Sequence, residues 1–419
     1  MLTALKGNIL CLPELGEVQT KKNGYLVLED GKILGVFDAL PKEYAAAAVT
    51  DYGDRIITQS FSDMHLHAPQ YPMLGMGLDL PLIEWLNTYT FKTESRFSDD
   101  AYARRVYRKL AAKLIANGTT HVVMFSSLHR RATRILMEEL ERAGVCGYVG
   151  KVNMDRNGAA ELQETTEESK RETLLWLDDC KDFKLVKPIV TPRFTPSCTD
   201  ELMDFLGKLA NERDLPVQSH LSENLSEIAW VKDLHPDCGE YWETYDKYGL
   251  FKERTVMAHC VHSSEKEIAA MRDHGVVIAH CPESNISICS GFPKIRKMLD
   301  QGAWVTLGSD IAGGAELPMM KVITSAIRMS NAVRITSDWQ VKALTVQEAA
   351  YLGTTSAEKY FGLGGGFAAG DPLHAIVIDD SDFAEPTHEL TIAERYERFL
   401  YIGTEKDIAA RYSEGVLRA

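Results

Sequence analysis

The sequence predicts an α/β protein, with a (β/α)8 TIM-like barrel and a small β-sandwich domain formed from the N- and C-terminal segments. Eight short apolar segments alternate with helical patterns over roughly 300 residues in the middle of the chain. Strand-like apolar segments also occur near both ends. We therefore assign residues 1–57 and 365–419 to the small β domain and residues 58–364 to the barrel.

The terminal segments show short apolar runs separated by turn signals. The apolar runs are 9–12, 25–28, 33–37, 375–378 and 399–402. The residues Glu29-Asp30-Gly31-Lys32 predict a hairpin turn between two of these runs, and Gly370-Asp371-Pro372 predicts another turn in the tail. Because the two ends resemble each other and flank a long middle, they predict one β domain built from both.

The middle of the chain supplies the candidate barrel strands. These are 56–61, 121–125, 147–152, 186–191, 217–220, 255–259, 276–280 and 304–307. Between the first two, Ser98 is a plausible N-cap for a helix with one apolar face over 103–114, and Gly118 predicts its end. An open doubly wound sheet is the alternative, but no glycine-rich dinucleotide motif follows any of the strands.

Composition and charge limit the class of protein. The chain has 419 residues, 45% hydrophobic and 25% charged, which is typical of a globular protein with room for a barrel and an accessory domain. Its net charge of -14 argues against a nucleic-acid partner, since phosphate binding needs a basic surface. An apolar run of about 18 residues and a signal peptide are both absent, so we expect no membrane partner. The eight cysteines form no CxxC pair, which favours reduced thiols and a cytoplasmic location.

Polar residues cluster where the predicted strands end. His65 and His67 follow the first strand, and positions i and i+2 of a strand face the same side. The later strand ends carry Arg193-Phe194, Gln218 to Glu223, His259-Cys260, His280-Cys281 and Ser309-Asp310. In a barrel enzyme the C-terminal strand ends form one active-site face, so these residues are expected to converge.

Such a set of residues can build a hydrolytic metal site. The candidate metal ligands are His65, His67, His220 and Asp310. Neutral imidazoles and a carboxylate, with one position left for water, are the ligands of a mononuclear Zn²⁺ site, and iron suits the same donors. We expect one Zn²⁺ per subunit, which would lower the pKa of its bound water towards about 7.

The positions of three residues in the sequence suggest roles in catalysis. Glu223 lies three residues after His220, close enough to move protons between water and substrate. Asp310 can contact the metal and also take a proton from the water. His259 can donate a hydrogen bond to that water and direct its attack.

These motifs resemble the amidohydrolase superfamily, in its single-metal deaminase branch, and most closely the guanine deaminase family. The segments that carry the resemblance are His65-Leu66-His67-Ala68-Pro69-Gln70-Tyr71, Leu78 to Leu86 with Tyr89-Thr90-Phe91, Thr191 to Phe194 with Pro196-Ser197-Cys198, Ser219 to Asn224, His280 to Asn285, and Gly308 to Gly314. The resemblance covers about residues 55 to 330 and resumes at 398–403. Two departures are Gln59-Ser60, where the family has Pro-Gly, and Glu283, where a smaller polar residue is expected.

The resemblance implies hydrolytic deamination of guanine to xanthine and ammonia by a metal-activated water, in a homodimer. Glu223 would protonate the ring and then the leaving amine, while Asp310 would deprotonate the water. Gln70 and Arg193 would bind the polar edge and carbonyl of the purine, for which a planar guanidinium is suited. Phe194 would pack against the ring.

Two more candidate substrate contacts have equally plausible structural interpretations. Trp85 could form part of the pocket wall or simply pack within a helix. His280 could contact the substrate or be structural. Glu283 could change the shape of the pocket.

Other functions remain open from the sequence. A related enzyme could act on cytosine, a pterin, a triazine or an adenosine derivative, and some barrels of this kind are metal-free scaffolds. A nucleic-acid deaminase is disfavoured because the H-x-E and P-C-x-x-C signature is absent. The absence of HExxH argues against a zincin protease.

Overall fold

The structure is a computed structural model that describes residues 1–418. Its strands are β1 (Leu2–Cys11), β2 (Gln19–Glu29), β3 (Lys32–Phe37), β4 (Ala48–Gln59), β5 (Phe61–His67), β6 (Thr119–Phe125), β7 (Cys146–Gly150), β8 (Val152–Asn153), β9 (Val186–Pro188), β10 (Thr191–Pro192), β11 (Val217–Leu221), β12 (Thr255–His259), β13 (Val277–His280), β14 (Trp304–Leu307), β15 (Ala375–Ile378), β16 (Ile408–Ser413) and β17 (Val416–Arg418). Its α-helices are α1 (Leu82–Trp85), α2 (Phe91–Ser95), α3 (Asp100–Ala116), α4 (Arg130–Ala143), α5 (Thr166–Asp179), α6 (Asp200–Glu212), α7 (Leu225–Leu234), α8 (Glu243–Asp246), α9 (Glu265–Asp273), α10 (Pro282–Ser287), α11 (Ile295–Asp300), α12 (Met319–Thr336), α13 (Val346–Leu352), α14 (Thr355–Tyr360) and α15 (Ile392–Ile402).

Strands from both ends of the chain form one sheet, in the order β17-β16-β15-β4-β1-β2-β3. The predicted hairpin joins β2 to β3, with Glu29 opposite Lys32. Asp30 and Gly31 take φ values of 50° and 81°, as a two-residue type I′ turn requires. The predicted β domain from both termini is confirmed, and over residues 1–418 its seven strands form a single hydrogen-bonded sheet.

The middle strands close into the predicted parallel barrel. Strands β5-β6-β7-β9 form one arc and β11-β12-β13-β14 form the other, while β8 and β10 pair beside the first. Gln218 N donates to Val190 O at 2.9 Å where the arcs meet on one side. On the other side Asp310 N donates to His65 O at 2.8 Å, so the polar ends of β5 and β14 lie together.

The interior of the barrel is filled by apolar side chains from successive strands. These side chains are Met64, Val123, Ile189, Val256, Val277 and Ala279, and α14 packs against them through Ala357 and Tyr360. This filling makes the barrel a packed core, and the polar residues that end the strands are left to form the site.

The start of the barrel differs from the prediction. The predicted strand 56–61 spans two elements, because Ile56 and Ile57 belong to β4 and pair with β15 in the terminal sheet. The barrel begins only at Phe61. Both segments are buried and separated by the single residue Ser60, so no turn signal marks the change of sheet.

The predicted cap of one helix and the interpretation of one apolar run in the tail also need correction. Asp99, not Ser98, caps α3: its carboxylate accepts from Ala101 N at 2.8 Å, whereas the Ser98 hydroxyl donates to Ser95 O. The tail segment 399–402 is the last turn of α15 rather than a strand. Tyr396, Phe399 and Leu400 follow the i, i+3, i+4 spacing of a helix, so all three are buried on one face.

The division of the chain at residues 57 and 365 stays a prediction, although β4 remains in the terminal sheet as far as Gln59. Among the helices of residues 1–418, none is both long enough and apolar enough to cross a membrane.

Candidate active site and metal centre

The carboxyl ends of the barrel strands bring five of the predicted site residues together. His65 and His67 lie on β5, His220 on β11, and His259 ends β12, while Asp310 follows β14. The ring centroids of His65 and His67 are 5.0 Å apart, and that of His220 is 4.9 Å from that of His65. The i, i+2 spacing therefore directs both histidines of β5 towards the third, as strand geometry predicts.

Four of these residues form a compact donor set. One ring nitrogen from each of His65, His67 and His220 lies within 4.8 Å of the others. The Nε2 atoms of His67 and His220 are 3.1 Å apart. Asp310 Oδ1 lies 3.2 Å from His65 Nε2 and 3.5 Å from His67 Nε2, and all four side chains are buried.

The protonation states of these side chains suit a metal. Nδ1 of His220 donates to Arg193 O at 2.6 Å, so its Nε2 carries a lone pair that faces His67. Burial lowers the pKa of His65, His67 and His220, which keeps the imidazoles neutral. A cation between the facing nitrogens would satisfy both lone pairs. Three nitrogens and one carboxylate oxygen fit Zn²⁺ or iron.

Asp310 is held as a carboxylate. Burial opposes its ionisation, but the close contact with His65 and the charge of His259 outweigh it and hold the pKa of Asp310 far below its ordinary value. Ser284 Oγ donates to Asp310 Oδ2 at 2.5 Å. Asp63 supports the same loop, since its carboxylate accepts from both N and Oγ of Ser309, at 2.9 Å and 2.5 Å.

Glu223 and His259 form an acid–base pair beside the donor set. Burial raises the pKa of Glu223, and Ser290 Oγ donates to its Oε1 at 3.0 Å. His259 Nε2 lies 3.6 Å from Glu223 Oε2 and 3.8 Å from Asp310 Oδ2. Burial works against a charge on His259, but these two carboxylates raise its pKa. Its Nδ1 pairs with Asn285 Oδ1 at 2.9 Å, which fixes the direction of the ring.

The backbone takes unusual φ values at or just after the ends of the strands that carry these side chains. Ser222, His259 and Asp310 have φ values of 49°, 71° and 47°, in the left-handed region that residues other than glycine seldom adopt. Such residues are common at functional sites. Gly308 allows a close approach here, because a Cβ at this position would lie 2.8 Å from Cβ of His65.

A pocket opens onto these groups at the carboxyl ends of the strands, where barrel enzymes bind their substrates. Its lining residues are His67, Gln70, Leu82, Trp85, Leu86, Arg193, Phe194, His220, Glu223, Glu227, His259, Ile288 and Asp310. The structure therefore places four of the five predicted substrate contacts around one cavity.

His280, the fifth, lies elsewhere. Val277 and Ala279 of the same strand face the barrel interior, so alternation directs His280 outwards, on the side of Ile278. There it lines a second cavity beside α11 and α12. Glu283 is also absent from the pocket lining, and its Oε2 accepts from Glu316 N at 2.9 Å.

The sequence did not reveal Glu94, which connects the two polar residues of the pocket wall. This buried carboxylate accepts from Arg193 Nη1 at 2.7 Å, from Arg193 Nη2 at 3.1 Å and from Gln70 Nε2 at 2.8 Å. Oε1 of Gln70 in turn accepts from Ala312 N at 3.0 Å. Glu94 lies three residues beyond the motif that ends at Phe91, and nothing in the local pattern distinguishes it from a surface glutamate.

Glu227 is a second residue that we had not singled out. Its Oε2 accepts from Glu223 N at 3.0 Å and from Asn224 N at 3.2 Å, and Tyr241 donates to its Oε1 at 2.7 Å. Burial and the neighbouring Glu223 raise the pKa of Glu227 to about 7. The capping-box spacing from Asn224 to Glu227 was the signal that could have identified it.

Comparison with known proteins identifies the family. The model of the Amidohydrolase family matches residues 56–415. A guanine deaminase of Dictyostelium discoideum is 36% identical, over 99% of this chain and 98% of that protein. A guanine deaminase of Mus musculus is 40% identical, over 84% and 80% of the two chains. The chain belongs to the guanine deaminases of the amidohydrolase family. The family that the sequence motifs indicated is thus confirmed.

Solved structures of the family agree with the fold. The guanine deaminase from C. acetobutylicum, determined with guanine bound in its active site, superposes with a TM-score of 0.97 at 42% identity, and the match covers 100% of both chains. The E. coli guanine deaminase superposes with a TM-score of 0.89 at 29% identity over 100% of this chain and 98% of the other. A triazine hydrolase at 16% identity and a TM-score of 0.88 shares the fold alone.

Proposed function

We propose that this protein hydrolyses guanine to xanthine and ammonia. The observation that carries the proposal is the single pocket in which Glu223 and the His65–His67–His220–Asp310 set lie opposite a polar wall. Membership of the guanine deaminases supports this substrate, as does the relative that holds guanine at its active site.

We propose that His65, His67, His220 and Asp310 hold one Zn²⁺ in the active site of each subunit, with iron as the alternative. The fit rests on the donor set, which offers three neutral imidazole nitrogens and one ionised oxygen. When bound, such an ion lowers the pKa of water to about 7 and makes it nucleophilic at neutral pH.

The protein side chains carry the protons of this reaction. Asp310 accepts the proton of the attacking water, while Ser284 holds the other carboxylate oxygen in place. His259 directs the water through Nε2. Glu223, whose pKa is raised by burial, first gives its own proton to the ring nitrogen beside the reacting carbon. It then takes the remaining proton of the added hydroxyl group and passes it to the leaving amine. The proton held by Asp310 finally returns to Glu223, which restores both side chains. One water is consumed and one ammonia is released, so the protons balance.

The pocket wall orients the purine. Gln70 and Arg193 contact its polar edge and carbonyl, and Phe194 and Trp85 pack against its ring. Gln70 and Arg193 are already held by Glu94, so they are preorganised for the substrate. A purine without the matching polar groups would leave these buried groups unpaired, which gives the pocket its selectivity.

The decisive experiment follows the conversion of guanine to xanthine by ultraviolet absorbance. We expect turnover that a chelator abolishes and Zn²⁺ restores. The same assay with cytosine, a pterin, a triazine and adenosine addresses the competing substrates. Turnover of one of these, with no xanthine formed from guanine by metal-loaded protein, would contradict the proposal.

We also propose a homodimer and a cytoplasmic location, as the family resemblance and the scattered cysteines led us to expect. Light scattering coupled to size-exclusion chromatography measures the first, and microscopy of the tagged protein in its native cell measures the second.

A further inference from the structure

A second group of metal-ligating side chains lies far from the active site, between the barrel and the terminal sheet. His121 and Cys146 lie opposite each other on β6 and β7, towards the amino ends of these strands. His374 directly precedes β15 of the terminal sheet. A ring nitrogen of each histidine and Sγ of the cysteine lie within 4.8 Å of one another, and all three side chains are buried.

A carboxylate completes this group. Glu414 Oε1 lies 3.1 Å from His374 Nε2 and 3.7 Å from Cys146 Sγ. Glu414 occupies the two-residue turn between β16 and β17 with a φ of 55°, a position that favours Asn, Asp or Gly. Glutamate is an unfavourable residue for that backbone, and its longer side chain is what brings the oxygen to the histidine and the cysteine.

The two imidazoles of the cluster are arranged so that they can share a ligand. Nε2 of His374 is the ring nitrogen that faces Glu414, so it can bind the same ion as the carboxylate. The rings of His121 and His374 approach to 4.2 Å between centroids without a hydrogen bond between them. Nδ1 of His121 pairs with Thr120 Oγ1 at 3.2 Å, which leaves its Nε2 available to a ligand.

We propose that His121, Cys146, His374 and Glu414 form a second, structural metal site. A thiolate, two imidazoles and a carboxylate are a tetrahedral Zn²⁺ donor set, and four protein ligands leave no position for substrate. Zn–S bonds of about 2.3 Å and Zn–N bonds of about 2.0 Å place tetrahedral ligand atoms about 3.3–3.5 Å apart. Ligand atoms that lie within 4.8 Å of one another would therefore have to draw together by about 1.5 Å or less. Because two ligands come from the barrel and two from the terminal sheet, the ion joins the two parts of the fold.

Metal content of the purified protein tests the site directly. After saturation with Zn²⁺ and dialysis, we expect two equivalents per chain in the unaltered protein and one in Cys146→Ser, with guanine turnover retained. Cys180→Ser is the matched control, since it removes another buried thiol away from the cluster and should keep both equivalents. A single equivalent in the unaltered protein, or two in Cys146→Ser, would overturn the proposal.

Cobalt substitution provides a readout other than stoichiometry. Co²⁺ bound by Cys146 should show sulfur-to-cobalt charge-transfer absorption that is lost in Cys146→Ser. Cys281 lies near His65 and His259, so Cys281→Ser must keep this band if it arises at the second site. Should Cys146→Ser fail to fold, Glu414→Gln at the exposed turn replaces it, with an expected loss of affinity for one equivalent of about tenfold or more. Unchanged affinity in that variant would refute the carboxylate ligand.

Discussion

The proposed role of the pocket wall depends on Glu94, so replacing it by glutamine is the most informative perturbation. Glu94 is 2% exposed and accepts three hydrogen bonds, two from Arg193 and one from Gln70. The amide introduced by Glu94→Gln would keep one acceptor oxygen but lose the charge that compensates the buried guanidinium. If the retained oxygen takes the Oε1 position, Gln70 keeps its partner, but Arg193 Nη1 faces an amide group instead of an acceptor and the guanidinium is free to reorient.

The structure sets the size of the expected effect. Breaking a buried ion pair costs about 3–5 kcal/mol, and the one retained acceptor recovers part of this. We expect a loss of about 2–3 kcal/mol in transition-state binding, which is a decrease of roughly 30- to 160-fold in kcat/KM. Most of this loss should come from a higher KM, because in the proposed mechanism Gln70 and Arg193 hold the purine while Glu223 and Asp310 move the protons.

The assay is guanine turnover with the metal content measured on the same sample. Glu139→Gln is the matched control, because Glu139 is an equally buried carboxylate whose partners, Arg104, Arg108 and Arg142, lie far from the pocket. Both variants should unfold more readily, but only Glu94→Gln should lose kcat/KM. A value within about threefold of the unaltered protein, with normal metal content, would refute the positioning role of Glu94.

Three further predictions concern proton transfer, the metal and pH. Glu223→Gln should lower kcat by about 10²–10⁴-fold with metal content unchanged, and near-normal turnover would refute its role as acid and base. Asp310→Asn should lower both the bound metal and the rate, so a loss of rate alone would count against Asp310 as a ligand. Burial raises the pKa of Glu358 from 4.5 to about 8, so the folded state holds this proton more tightly than the unfolded chain does. The stability that results is fully present below pH 4.5 and is lost as the pH rises to 8, a change of about 3 kcal/mol by pH 7. Glu358→Gln still accepts from Gln59 and should remove this dependence in urea unfolding at pH 5 and pH 8, whereas an unchanged pH dependence would exclude Glu358 as its source.

The barrel and its polar rim could be predicted because both depend on local patterns. Apolar segments at regular spacing defined the strands, and the histidines at i and i+2 on β5 could only face the same side. Boundaries were harder where two buried elements meet, as at Ser60, because burial on both sides removes the polar signal of a turn. Ser98 and Asp99 are both good N-cap residues, so the choice between them depended on backbone geometry that the sequence does not contain.

The positions of His280 and Glu94 show which information was missing. His280 ends a strand, as the proposed metal ligands on β5 and β11 nearly do. It lies two residues after Ile278, however, so it faces the same side of the strand as Ile278, away from the pocket. This two-residue spacing can be read from the sequence, and it would have predicted that His280 points away from the pocket. Glu94 is different, since its function arises from contact with residues 24 and 99 positions away. Such long-range pairing leaves no local pattern.

Arg193 connects the two halves of the proposed site. Its carbonyl accepts from Nδ1 of His220 at 2.6 Å and thereby sets the tautomer that directs Nε2 towards the metal position. Its guanidinium is fixed by Glu94 and faces the pocket. In the proposed site, one residue would therefore set the direction of a metal ligand through its backbone and orient the substrate through its side chain. Because both constraints act on a single residue, a shift of its backbone would move the proposed metal ligand and the purine-binding wall together, while the ion pair with Glu94 holds the side chain.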